Sequence, residues 1–183
     1  EGVLEGYIVN DVLAGIIPVE RMRDVALPLD HPVIGRFRAL ARELDLCLVF
    51  GFAESVGAEV FNTAVFIDQT GAIRGRYHKM QFAEGYHPDW WWNRLGETSR
   101  AFDTPFGRCG ILICNDRWNP SLARIPALDG AQFLVHLARS GHDQMKTMSR
   151  AGQLSCGPDG EIGLFASHEF RGEEKDGAIV RTS

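Results

Sequence analysis

The segment RCGILIC, residues 108–114, is a strongly apolar run that stops abruptly at the polar turn Asn115-Asp116-Arg117. A short apolar run bounded by a turn reads as a buried strand. Asn119-Pro120 then supplies a helix start, with Asn as N-cap and Pro at the first helical position. The helix is expected to reach Asp129-Gly130, where glycine stops it, with a kink at Pro126. AQFLVHLA resumes as a strand. A strand, a helix and a strand in close succession demand a sheet covered by helix. They also leave Cys114 at the strand's C-terminal end, the edge where α/β active sites gather.

The rest of the chain follows the same pattern. Residues 1–30 read as irregular, with Gly15, Pro18 and Pro28. His31-Pro32 opens an amphipathic helix that places Val33, Ile34, Phe37, Leu40, Ala41 and Leu44 on one face. LCLVFGFAE is short enough to be a buried strand. EVFNTAVFID, the turn Gln69-Thr70-Gly71 and AIRGRYHK form a hairpin. A polar and aromatic loop covers Met80 to Arg100, with the run Trp90-Trp91-Trp92 inside it. Beyond Ser140, Met145 to Leu154 reads as helix, and GEIGLFASHEF and GAIVRT read as strands. With no repeat, low-complexity tract or linker, residues 1–183 read as a single domain. Its fold class is α/β, a mixed sheet covered by helices.

Composition narrows the function. Apolar residues make up 45% and charged residues 23%, the proportions of an ordinary globular protein. The net charge is −5 and the basic residues are scattered, which argues against nucleic acid or a membrane surface as partner. The longest apolar stretch, near Leu46 to Ala53, is too short to span a bilayer. The chain opens on an acidic residue rather than a basic region and apolar block, so no signal peptide is read. The cysteines at 47, 109, 114 and 156 form no Cys-x-x-Cys pair, and a reducing cytoplasm with free thiols is expected.

Two residues stand where chemistry would need them. The helix start and Arg117 would both lower the Cys114 thiol pKa, although a cysteine at a strand end can equally be a small core residue. Lys79 likewise ends a strand, a place more often held by a solvated lysine. Neither residue decides the matter alone. No second histidine stands at metalloprotease spacing from His168-Glu169, and neither Ser140 nor Ser167 lies in a Gly-x-Ser-x-Gly elbow.

Taken in order, EGVLEGY at 1–7, FNTAVFIDQTGAIRGRYHK at 61–79, LGE at 95–97 and FGRCGILICNDRWNP at 106–120 resemble the nitrilase superfamily, the carbon–nitrogen hydrolases. The likeness covers residues 1 to about 140 well and the remainder poorly. It implies a four-layer α-β-β-α sandwich whose N-terminal and C-terminal elements are missing from the chain. It also implies a triad of Cys114 as nucleophile, Lys79 as its cation and Glu1 as general base, Glu1 standing at the family's distance before Gly6-Tyr7. Glu5 and Glu54 are weaker candidates for the base. Asp89 or Glu84 could supply a second acidic residue found in some members.

The implied chemistry is hydrolysis of a small linear amide or N-carbamoyl compound through a thioester. A nitrilase acting on a C≡N bond, or a non-catalytic member kept for binding or assembly, are the alternatives. The backbone N–H of Asn115 would join Lys79 in stabilising the oxyanion, and Asp116 would orient the turn. No metal or organic cofactor is called for. Trp90 and Trp91 could wall the substrate mouth, but packing or a subunit contact is favoured for the tryptophan run. The resemblance also implies a homo-oligomer.

Overall fold

A computed structural model describes residues 2–6, 11, 12, 14–82, 94–138 and the strand 164–166. The chain divides into two compact units, residues 1–97 and 98–183.

In the first unit, strands β1 (Leu48–Val56), β2 (Glu59–Ile67) and β3 (Ile73–His78) form an antiparallel sheet in that order. β1 begins two residues later than its apolar run suggests and pairs with β2 through a tight turn, with Val56 opposite Glu59. Only the first central residue of that turn, Gly57, takes a positive φ, 61°, as in a II′ turn, whose twist suits a two-residue hairpin. The expected β2–β3 hairpin is present. Its turn is organised by Asp68, whose Oδ1 accepts from the Thr70 and Ala72 N–H groups at 2.8 and 3.0 Å. Burial pushes the Asp68 carboxyl up, but hydrogen bonds from Thr70, Arg74 and Ala72 outweigh it and hold the group well below the usual carboxylate range.

Helix α1 (Pro32–Glu43) starts where His31-Pro32 predicts, with His31 Nδ1 accepting from the Val33 N–H at 3.3 Å. Its Ile34 and Ala41 are buried with Phe50 and Phe52 of β1 and Val65 and Ile67 of β2, and Phe37 packs on the same cluster. The predicted apolar stripe is covered only in part, since Leu40 and Leu44 remain exposed. Gly71, at φ 75°, lets the hairpin turn approach this helix. Arg38 Nε donates to its carbonyl at 2.7 Å, and a Cβ there would lie 2.6 Å from the Arg38 carbonyl oxygen. The N-terminal stretch is less irregular than expected: Val19–Val25 forms a 3-10 helix.

In the second unit, β4 (Phe102–Thr104), β5 (Gly107–Ile113), β6 (Phe133–Leu137) and β7 (Leu164–Ala166) lie in that order. β4 runs antiparallel to β5, and β5, β6 and β7 run parallel. The mixed α/β class therefore holds, with one sheet antiparallel and the other mixed. β4 escaped the sequence because a three-residue strand carries no usable period. Helix α2 (Pro120–Leu128) connects β5 to β6, with Asn119 Oδ1 accepting from the Ser121 N–H at 3.1 Å. Pro126 is accommodated inside it and packs on Gly110 of β5, where an added Cβ would lie 2.6 Å from the proline ring. Leu164–Ala166 falls within the expected strand GEIGLFASHEF. The expected helix at 145–154 and the strand GAIVRT lie outside the described residues.

Candidate active site

Cys114 stands directly after β5, at the first position of a 3-10 turn, Cys114–Trp118. Its φ is 47°, in the left-handed region that costs a residue with a Cβ about 1–2 kcal/mol. Such strain persists only where the surroundings over-determine it, and it concentrates at functional sites. Three side chains hold this turn. Asp116 is fully buried, and its Oδ2 accepts from the Ile113 N–H at 2.9 Å. The ring of His136, from β6, meets the Cys114 carbonyl with Nε2 at 3.0 Å. Arg117 Nη1 reaches the same carbonyl at 3.5 Å, and its guanidinium lies over the Trp118 ring, 4.8 Å from the centroid. Cys114 is half-buried. By contrast, burial pushes the Cys109 thiol, within the same strand, up to about 12, which makes it an inert core group.

Lys79 belongs to the first unit and is 2% exposed. It directly follows β3, and its backbone is fixed on both sides. Its N–H donates to the Asn62 carbonyl, and its carbonyl accepts from the Gly96 N–H, each at 2.8 Å. Gly96 has to be glycine for this approach, because a Cβ would sit 2.3 Å from the His78 carbonyl oxygen. The LGE segment thus clamps the lysine strand through its backbone.

Glu54 is 1% exposed and fully engaged. Its carboxylate accepts from Thr63 Oγ1 at 2.9 Å, from Arg76 through Nε at 2.9 Å and Nη2 at 2.8 Å, and from His78 Nε2 at 2.9 Å. The His78 ring also stacks on Phe61, centroids 4.0 Å apart. Glu54, Phe61, Thr63, Arg76 and His78 share one face of the sheet by register. Lys79 follows the parity of Tyr77 and so belongs to the opposite face. Glu54 is therefore an ion-paired carboxylate of the sheet. Glu5 Oε1 accepts from the Ala53 N–H at 3.1 Å, a backbone contact on β1.

Lys79 and Cys114 thus fall in different units, each with its own local scaffold. Glu1, Glu84, Asp89, Trp90 and Trp91 lie outside the described residues. Asn115 and Asp116 share the turn with Cys114. Sequence reasoning passed over His136. The signal available was a single polar side chain in the apolar run FLVHL, on the strand that pairs with β5. Among the described residues no cluster of metal-ligating side chains occurs, and no helix is long and apolar enough to cross a membrane. A groove of about 640 Å³ lies against α1, lined by Val3, Leu4, Phe37 and Leu40 among others; none of the candidate residues lines it.

The pattern of the carbon-nitrogen hydrolase family matches residues 13–157. The chain belongs to that family. It is 31% identical to an N-carbamoylputrescine amidase of Arabidopsis thaliana over 116 residues, 62% of this chain and 39% of the plant protein. To a citrullinase of Francisella tularensis it is 29% identical over 123 residues, 66% of this chain and 43% of that one. A carbon-nitrogen hydrolase from Helicobacter pylori superposes with a TM-score of 0.61 at 25% identity, covering 68% of this chain and 46% of the other. The chain thus spans about two fifths of the length of the curated relatives it matches. These relatives bear out the nitrilase-type fold expected from the ordered motifs.

Proposed function

We propose that this protein hydrolyses a non-peptide C–N bond in a small linear amide or N-carbamoyl compound, with Cys114 as nucleophile. The observation that carries the reading is the turn at Cys114. In a chain of the carbon–nitrogen hydrolase family, the cysteine that directly follows β5 adopts left-handed backbone geometry and has its carbonyl tied down.

The thiolate of Cys114 attacks the carbonyl carbon and Glu1 takes the thiol proton. The oxyanion that forms is stabilised by the Lys79 ammonium and the Asn115 N–H. Collapse breaks the C–N bond, and protonated Glu1 delivers its proton to the leaving ammonia or amine. Glu1 then deprotonates a water molecule, which attacks the thioester, releases the acid and restores the thiol. In this reading residues 1–183 make one hydrolase domain. A reducing compartment such as the cytoplasm keeps the thiol free, and the protein self-associates. Support for the amide or carbamoyl substrate comes from the names of the relatives, amidases and a citrullinase. Relatives named nitrilase keep a C≡N substrate as the second arm of the test.

The test is ammonia release from a panel of linear amides, N-carbamoyl amines and nitriles, with Cys114→Ala as control. Release from an amide or carbamoyl compound that drops at least about 10³-fold in Cys114→Ala is expected. Release from nitriles alone would transfer the activity to the second arm. No release above the control from any compound would leave a binding or assembly role.

A further inference from the structure

His136 lies on β6, opposite Leu112 of the parallel strand β5, and is 3% exposed. Its Nε2 lies 3.0 Å from the carbonyl oxygen of Cys114, 22 residues away in the chain. A carbonyl oxygen only accepts, so the ring carries its proton on Nε2 and donates. That carbonyl belongs to the same peptide unit as the Asn115 N–H. In a trans peptide the C=O and the N–H point in opposite directions, and the plane is rigid. A donor that fixes the Cys114 oxygen therefore fixes the direction of the Asn115 N–H. The left-handed φ of Cys114 makes the constraint necessary, since a free turn would relax towards ordinary backbone angles and swing the peptide plane.

We propose that His136 is a positioning residue of the hydrolase: by holding the Cys114 carbonyl it aims the Asn115 N–H at the oxyanion of the reaction. The inference rests on the function proposed above. Arg117 supplements the hold, but at 3.5 Å it is the longer of the two contacts to that oxygen. Asp116 fixes the other side of the turn through the Ile113 N–H. His136 and Asp116 together therefore determine the peptide plane on which the oxyanion donor sits, and His136 acts only through that plane.

Two polar variants separate aiming from packing. Gln in place of His136 puts an amide N–H where Nε2 now stands, whereas Asn withdraws it by one carbon. Each is compared with the wild type in amide turnover, in KM, and in the rate of Cys114 alkylation by iodoacetamide. Alkylation displaces iodide at a saturated carbon and builds no oxyanion. For His136→Asn, kcat is expected to fall about 10²-fold with KM and the alkylation rate within about threefold, the signature of a misplaced oxyanion donor. His136→Gln should recover all but about fivefold of kcat. The proposal is overturned if His136→Asn keeps wild-type kcat, or if both variants lose turnover and alkylation together, which would mark His136 as a packing residue. Absence of hydrolysis by the wild type would sink the hydrolase reading and this role with it, whereas an active wild type matched by His136→Asn would sink this role alone.

Discussion

In the unit that carries Lys79, the buried carboxylate on the sheet face is matched by other side chains. Glu54 is enclosed by Thr63, Arg76 and His78 across three antiparallel strands. In the unit that carries Cys114, the polar side chains around the turn bind backbone: Asp116 takes the Ile113 N–H, and His136 and Arg117 give to the Cys114 carbonyl. The difference is one of purpose. Side chains that satisfy each other keep a sheet face from holding uncompensated charge, and so govern stability. Side chains that grip backbone fix a peptide plane that would not hold its angles unaided, and so govern geometry.

The strongest attack on that distinction is Glu54→Gln. It nearly preserves volume, but it leaves Arg76 and His78 without their carboxylate on a sheet face where Glu54 is 1% exposed. A loss of about 3 kcal/mol in urea unfolding is expected, towards the low end for breaking a buried pair because Arg76 keeps some contact with water. A loss below about 1 kcal/mol would mean that water already shares the cluster and that the first unit is not organised by charge matching.

How much of this was legible in the sequence follows from contact range. The β2–β3 hairpin could be read because Thr70-Gly71 and the flanking apolar runs are adjacent, and both helix starts could be read because a cap and a proline sit together. The order β5, turn, helix, β6 was visible for the same reason. The β1–β2 hairpin was not, because Gly57-Ala58 is a weaker turn signal than Asn-Gly and the strand runs beyond its apolar stretch to Val56. The partners of Glu54 lie on two other strands, β2 and β3, so its role as a paired carboxylate becomes visible only once the register is known. Cys114 could be singled out as a candidate from the sequence, but its left-handed backbone could not be read, since no glycine or asparagine advertises it. His136 was hidden because its partner is a backbone atom, and backbone atoms leave no trace in sequence.

A second, smaller effect separates strain from chemistry at Cys114. Both Cys114→Ala and Cys114→Gly remove the thiol, but only glycine takes φ 47° without steric cost. The left-handed penalty of about 1–2 kcal/mol is partly offset by the greater freedom of glycine in the unfolded chain. Cys114→Gly should therefore unfold about 0.5–1 kcal/mol later than Cys114→Ala. In the first unit, Asp45 at φ 49° offers the control. Aspartate tolerates this region better than alanine, so Asp45→Gly should change stability less. A Cys114→Gly protein less stable than Cys114→Ala would show that the turn is not strained.

The smallest effect expected is a difference between the units in acid. Asp129, in the second unit, accepts from Arg100 through Nε and Nη2 at 2.8 and 2.9 Å and from the Ala101 N–H at 2.8 Å, which hold its carboxyl below the usual value. A depressed carboxylate stabilises the fold above its unfolded value of 3.8 and loses that contribution as pH falls through the folded one. Asp68, in the first unit, is buried and held further down by its turn. Acid should therefore open the Asp129 clasp while the Asp68 turn is still intact. Amide exchange reads each directly, since the Ala101 N–H bonds to Asp129 and the Ala72 N–H to Asp68. As pH falls below 3.8, protection should fall first at Ala101, and Asp129→Asn should abolish the pH dependence there without touching Ala72. Arg100 is largely exposed, so salt should shrink the effect at Ala101. Protection that falls at both amides over one pH range would mean that the units open in acid as a single body.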